Sequence, residues 1–563
     1  MKLSIGSQPI ALPLDVNISI EKTSPVLNDA ATSFSYPFPI PTRPNQQVLG
    51  WPGKLERIFT LPENTFILED KGIQVLTGEI EYDEVDENEI GIILKSGMTE
   101  FWAKNEGISL TELDYGSEWW FEDDTTYEAL IAKFTEWDTA NITAEAPFVV
   151  APFIMNNYDN TGTMRGNKWK STSGTGTLTN FISDFVAEGS GYYQLQFKAW
   201  FILEKIFENS GFTVVDDELK DSEFEKLVVF GKPFIIYAEE AENNVLRVLP
   251  ISALLTYAKL MPTIDVIDFL DAIKELMGLM FDINDATKEV RITVISSLFQ
   301  PESLDTMVIP ELKGWKHKEG KFIPDGFSLQ YQSQDNENDT RSDYATSLEV
   351  STTLPAPTYE GTIIKVLTPL RYFITVKKSD DSLVWEEIGR LKPYISGNGK
   401  ETKELPVVVP RQVLSSLVER PMLNITPNTF IDRNIIELTE LIVSLYHGLV
   451  AFDTITVPYL CGDQYSMDQN MNPDETSLFT WAIKDNAISL SPDYLYNAFY
   501  ADFLTWQSYY RRSFTKYIQL TLPQLLSLQW NKRYMISGIR VILDKINYEL
   551  PFTGIVKVEG FTA

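Results

Sequence analysis

The chain has 563 residues, 44% of them hydrophobic and 12% aromatic, with 79 acidic against 47 basic residues and a formal charge of −32. That length exceeds one hydrophobic core and points to about four domains, and the apolar content excludes disorder in bulk. The charge excludes a groove-reading nucleic-acid binder, the lack of an apolar run of about 18 residues excludes a membrane-spanning helix, and a lone cysteine, Cys461, excludes an intramolecular disulfide framework or thiolate metal cluster.

The first segment, Met1-Lys2-Leu3-Ser4-Ile5, has no long apolar stretch before a small-residue cleavage site, so the chain is expected to be made in a cytoplasm. Leu14, Val16, Ile18 and Ile20 alternate with polar residues, the pattern of a half-buried strand. Ser33-Phe34-Ser35-Tyr36-Pro37-Phe38-Pro39-Ile40-Pro41 follows. Prolines at every second position cannot donate to a ladder, so this is an edge or an extended arm. Phe34, Tyr36, Phe38 and Ile40 are the candidate contacts of that arm with a neighbouring subunit. Residues 73–80 and 90–94 predict a hairpin joined through an acidic, solvated stretch from Glu81 to Glu89.

Residues 100–195 are irregular, with apolar Trp119-Trp120-Phe121 and Pro147–Phe153 and a linker-like Ser171–Thr177. Two later segments resemble each other. A helix over Ala199–Phe207 runs to Gly211 and a strand at 212–215; a helical stripe of Val266, Phe269, Leu270, Ile273, Leu276 and Met277 runs to Gly278 and strands at 279–283 and 290–294. Superposing the two glycines sets Leu203 on Leu270 and Ile206 on Ile273. Further on, Gly361–Leu367 reads as a strand, Val413–Leu417 and Ile435–Leu449 as helices, and Pro492 to about Tyr509 as an aromatic helix. Residues 534–543 and 554–560 return to strand.

The fold expected is α+β and β-rich, multidomain, with barrel-like domains near both ends and helix–strand modules between. Its segments are a β domain at 1–110 with the arm at 33–41, an irregular connection at 111–195, modules at 196–300, a mixed insertion at 301–480 and a helix-plus-β domain at 481–563.

Chemistry is sparse. His317 lies in a basic run, Trp315-Lys316-His317-Lys318, and reads as an exposed turn; His447 lies in apolar Leu445–Leu449 and reads as a core residue. Neither has zinc-site spacing, and there is no Gly-x-Ser-x-Gly elbow or phosphate loop. Asn157–Gly162 starts like a calcium loop but reaches Lys168 at the twelfth position, and Asp335–Asp339 has Thr340 where glycine belongs. No catalytic residue, cofactor or metal ligand is therefore assigned. Twelve tryptophans and 25 tyrosines keep a receptor- or carbohydrate-binding surface protein as the alternative, and dispersed carboxylates keep a glycan hydrolase as a remote one.

Taken in order, Ser24-Pro25-Val26-Leu27-Asn28, the arm, Pro44–Pro52, Gly72–Gly78, Leu203–Phe207 with Gly211-Phe212, and Tyr534–Gly538 with the closing strands resemble the large structural tail proteins of phages and prophages of Bacteroidetes hosts, of tail hub or baseplate type. The resemblance implies tube-type barrels in a homotrimeric ring, with a hexamer as the other symmetry. The ring would join the tail tube to the distal tip, contact tube, spike or fibre and tape-measure proteins, and reside in the virion tail after assembly in host cytoplasm. An acidic lumen would then let DNA slide by without sticking. Neither sequence-specific nucleic acid nor membrane enters that picture.

Overall fold

The structure, a computed structural model, describes residues 1–26, 33–49, 65–116 without 87, 127–156 without 144, 163–171 without 169, 176–177, 190–249 without 242–244, 256–299, 307–309, 316–319, 327–331, 349–351, 354, 356–357, 363–367, 370–390, 401–413 without 410, 422–425, 435–452 without 436, 455–461, 466–467, 490, 495–506 without 501, 504 and 505, and 512–562. It is β-rich with a helical minority.

The N-terminal segment supplies β1 (Lys2–Ile5), β2 (Gln8–Ile10), β3 (Ile18–Thr23), β4 (Ser33–Ser35), β5 (Phe38–Pro41), β6 (Thr65–Asp70), β7 (Ile73–Val85) and β8 (Glu89–Ser96). The strand predicted from Leu14 starts only at Ile18. Val16 donates to the Pro13 carbonyl in a turn, leaving Leu14 fully exposed, while Ile18 and Ile20 turn inward. β6 and β7 join through Lys71-Gly72, both at positive φ (52° and 80°), the twist that suits a two-residue hairpin. The acidic stretch expected as a loop is mostly strand: β7 runs on to Val85, with a bulge between Tyr82 and Val85. A strand needs only one apolar face, so the acids occupy the other.

The central module has α1 (Met98–Asn105), α2 (Ala199–Asn209), β9 (Thr213–Asp217), α3 (Val266–Met277), β10 (Leu279–Ile283) and β11 (Glu289–Val294). Gly211 (φ 83°) follows α2 and Gly278 (φ 57°) caps α3, a left-handed turn that frees the chain to reverse into a strand. The similarity of the two segments has a structural counterpart. β9 and β10 lie on either side of β11, the first parallel to it and the second antiparallel. Leu203, Ile206, Leu270 and Ile273 are buried in one core.

Several helices expected beyond this module are not found. Val443–Phe452 is a strand between Leu227–Phe230 and Ile455–Cys461, and Leu441–Tyr446 is buried throughout; an apolar run without alternation does not separate a buried strand from a helix. Val413 ends the strand Arg411–Val413, and residues 414–417 lie outside the described residues. Of the aromatic helix near the end, Tyr496–Tyr500 is a π-helical turn. The expected strand near 361–367 is present as Ile363–Leu367. Lys170-Ser171 pairs with Gly176-Thr177, so the ends of the linker-like segment form a small hairpin.

The C-terminal half adds β12 (Lys316–Glu319), β13 (Arg512–Gln519), β14 (Tyr534–Ile536), β15 (Ile539–Leu550) and β16 (Ile555–Thr562). Ser537-Gly538, at φ 53° and 78°, turns β14 into β15. His317, expected in a turn, is a strand residue paired with Phe514. The two ends of the chain, each expected to carry a barrel-like domain, share one sheet: β3 pairs antiparallel with β15, Ile18 opposite Leu550. One 14-stranded sheet results, running β2-β1-β6-β7-β8-β4-β3-β15-β16-β13-β12, with β5 also on β8, β14 on β15 and Met307–Ile309 on β14. Its inward residues form one core, from Leu3 and Phe66 to Val558. The sheet curls: Asp70, at the end of β6, accepts from the Phe552 amide at 2.9 Å although β6 and β15 are well separated in the ladder.

Candidate assembly surface

The arm lies along β8. Phe38 and Ile40 pair with Ile92 and Ile90 and are buried (4% and 0% exposed). Pro39 and Pro41 alternate with them, so both ring nitrogens fall on the side away from β8, and among the described strands β5 pairs with β8 alone. Phe38 and Ile40, two of the four expected contacts, thus belong to the chain's own core, because the strand's alternation turns them inward. Phe34 is half-buried and Tyr36 is 49% exposed, their rings edge-to-face at 5.8 Å. Tyr36 donates to Glu21 at 2.9 Å, which holds its hydroxyl above the usual pKa, and Glu21 also meets Lys545 at 3.2 Å. Along this row Glu79, Lys95, Phe34, Glu21 and Asn547 are successive partners on five strands, a charged outward face with an aromatic at its middle.

Beside the arm, the bulged tip of β7–β8 forms a cleft of about 360 Å³ lined by Pro37, Phe38, Pro39, Asp83, Asp86 and Glu89 among others. Asp86 accepts the amides of Asn88 and Glu89 at 2.6 Å each, which keeps its carboxyl below the ordinary range. Among the described residues no three His, Cys, Asp or Glu side chains stand close enough to hold a metal ion. The two calcium-like segments, 157–162 and 335–340, lie outside the described residues, as does Trp119–Phe121.

Where the central module meets the sheet, the β10–β11 turn enters the sheet's wall. Asp285 pairs with Lys22 of β3; its carbonyl accepts from the Thr77 amide at 3.0 Å; Gln74 donates to the Ala286 carbonyl at 2.6 Å; and Lys288 reaches Glu100 of α1, also at 2.6 Å. Burial alone would lower the Lys22 ammonium, but Asp285 beside it and Asp282 hold it above the ordinary lysine value. Burial raises Asp282 to about 6 against the lowering effect of the Trp530 amide, which donates to it at 3.1 Å. Sequence gave no signal for this joint, since its partners lie 263 residues apart.

Burial holds His447, in a bulge of its strand, down at about 4, with Lys226 adding repulsion. Of the described tryptophans, Trp137, Trp200 and Trp506 are buried and fill cores, while Trp102, Trp385 and Trp530 are half-buried.

The sequence matches no described protein family and no curated protein. Among solved structures it is similar to the 43 kDa tail protein of prophage MuSo2 from Shewanella oneidensis, with a TM-score of 0.30 at 8% identity over 100% of this chain and 97% of that one.

Proposed function

We propose that this chain is a non-enzymatic structural subunit of a phage-type tail, acting in a hub or baseplate ring that joins tube to tip and lets DNA pass. The observation that carries the reading is the terminal sheet. Strands from both ends of the chain build one large curled sheet, and within the described residues its outermost strands, β2, β5, β12 and Met307–Ile309, do not pair with one another. An unclosed ladder leaves backbone groups that a neighbouring copy can satisfy, and closed rings remove such edges. Pro9 within β2 is a device against indiscriminate pairing, as it cannot donate. Phe34 and Tyr36 are the part of the arm that remains open to a partner chain.

The test is the mass in solution by light scattering over a concentration series, followed by imaging. A trimer or hexamer with a central channel is the expected outcome. A monomer at every concentration, in the presence and absence of tail-tube protein, overturns the proposal.

A further inference from the structure

The two faces of the hairpin β10–β11 differ in what they meet. Leu279, Phe281 and Ile283, with Val290 and Ile292, face the core of the central module. The other face carries Met280 opposite Thr293 and Asp282 opposite Arg291. Met280 packs with Val26, with Ile542 of β15 and with Phe561 of β16, so this face is laid against the terminal sheet. A carboxyl only 4% exposed, that of Asp282, therefore sits in the seam between two cores.

The loop 529–533, which enters β14, closes over the same seam. The Trp530 amide donates to Asp282 Oδ2 at 3.1 Å, Asn531 Nδ2 donates to Thr293 Oγ1 at 3.3 Å, and Arg533 donates to the Leu298 carbonyl. Asn531 Oδ1 is buried and has no donor among the described residues. A carboxylate only accepts, whereas a carboxylic acid also donates, and Asn531 Oδ1 supplies an acceptor one residue along from the amide that Asp282 already holds.

The charges around Asp282 come from several elements. Desolvation is the largest effect and favours the neutral acid, Asp285 adds repulsion, and Lys22 of β3 and Arg291 of β11 favour the carboxylate, leaving the group at about 6 against an ordinary 3.8. Lys22 is bonded to Asp285 and Arg291 meets Glu289 at 3.8 Å, so both cations have carboxylates of their own. Tyr534 of β14 lies beside Asp282 and Tyr548 of β15 beside Lys22; burial holds both hydroxyls above the ordinary range, so they stay neutral.

We propose that this seam is a proton-set latch, in which neutral Asp282 holds the 529–533 loop, and with it the module, to the terminal sheet more firmly than ionised Asp282 does. An acid with a raised pKa in the closed joint binds its proton more tightly when closed. Closure is therefore most favourable near pH 3.8, weakens as pH rises through about 6, and changes little beyond. The latch does not depend on the ring reading, and its failure leaves that reading standing.

The experiment is hydrogen exchange on the full chain, followed in peptides that span Thr77 and Trp530 and divided by the intrinsic pH dependence of amide exchange. Opening at both places is expected to become about ten-fold more frequent between pH 5 and 7.5 and to level off above that. Asp282→Asn, a neutral side chain of the same shape, is expected to flatten the profile. The peptide over Leu219 and Lys220, whose amides Asp217 accepts, keeps its own dependence in that variant. Arg291→Gln removes a cation that favours the carboxylate and is expected to move the midpoint to higher pH. A flat wild-type profile overturns the latch, whether or not either variant folds. So does a profile that Asp282→Asn leaves intact, or a midpoint that Arg291→Gln leaves unmoved. A parallel change in every peptide of the chain would show global stability rather than the seam responding, and overturns it as well.

Discussion

Lys22 on β3 and Asp285 at the β10–β11 turn form a buried ion pair, 14% and 5% exposed, that ties the central module to the terminal sheet. The turn's backbone is held as well, by Thr77 and Gln74 of β7. Lys288 and Lys104 both reach the buried Glu100 of α1. The joint is therefore hydrogen-bonded from several elements and is a fixed one.

Removing one partner strands the other charge in a buried place. Lys22→Met is expected to cost about 3–5 kcal/mol, because Asp285 keeps its desolvation penalty without its counter-ion. Lys22→Met combined with Asp285→Leu is expected to cost less than the sum of the two single changes. Chemical denaturation of the three variants checks both, and strict additivity would show that the pair is not coupled.

Gly97 precedes α1 at φ 60° and ψ −132°, a region that side chains avoid, and a Cβ there would stand 2.5 Å from Asp285 Oδ1. Gly97→Ala combines backbone strain of about 1–3 kcal/mol with that clash. The expected result is faster amide exchange at the β10–β11 turn and a lowered melting temperature. Unchanged exchange there would remove Gly97 from the joint.

Asp217 is buried, its Oδ1 accepting the Leu219 and Lys220 amides at 2.9 and 3.2 Å while burial raises it to about 6. An acid with a raised folded pKa binds its proton more tightly in the folded state. Its destabilising effect is thus full above about 6 and is relieved as pH falls toward the unfolded value near 3.8. Asp217→Asn is expected to stabilise by about 1–3 kcal/mol at pH 8 and to have no effect near pH 3.5, read as unfolding midpoints. An equal effect at both pH values would exclude titration of this carboxyl as the cause.

The arm's alternation separates folding from assembly. Ile40→Ala, in the core, is expected to cost about 2–5 kcal/mol of folding stability. Tyr36→Ala, on the outside, should change folding stability by less than about 1 kcal/mol while weakening association. Denaturation and light scattering on the same samples distinguish the two, and a Tyr36→Ala chain that assembles normally would remove Tyr36 from the interface.

Period-two alternation made Ile18 and Ile20 readable as inward positions, whereas Phe38 and Ile40, read as contacts of an arm with a neighbour, are buried in the chain's own core; the glycines after the two helical stripes marked where each helix gives way to strand. These signals are local, set by the pleat and by the left-handed turn that glycine allows. The buried strand at Val443–Phe452 was misread because a run buried on both faces has no alternation to show. The joining of the chain's two ends was decided only in three dimensions. Ile18 opposite Leu550 and Lys22 opposite Ile546 are pairings across more than 500 residues, and an edge strand's hydrogen-bonding groups do not name their partner. So too for Lys22 with Asp285: the sequence holds 79 acids, and only the tertiary fold brings one of them to that lysine and excludes the water that would otherwise screen it.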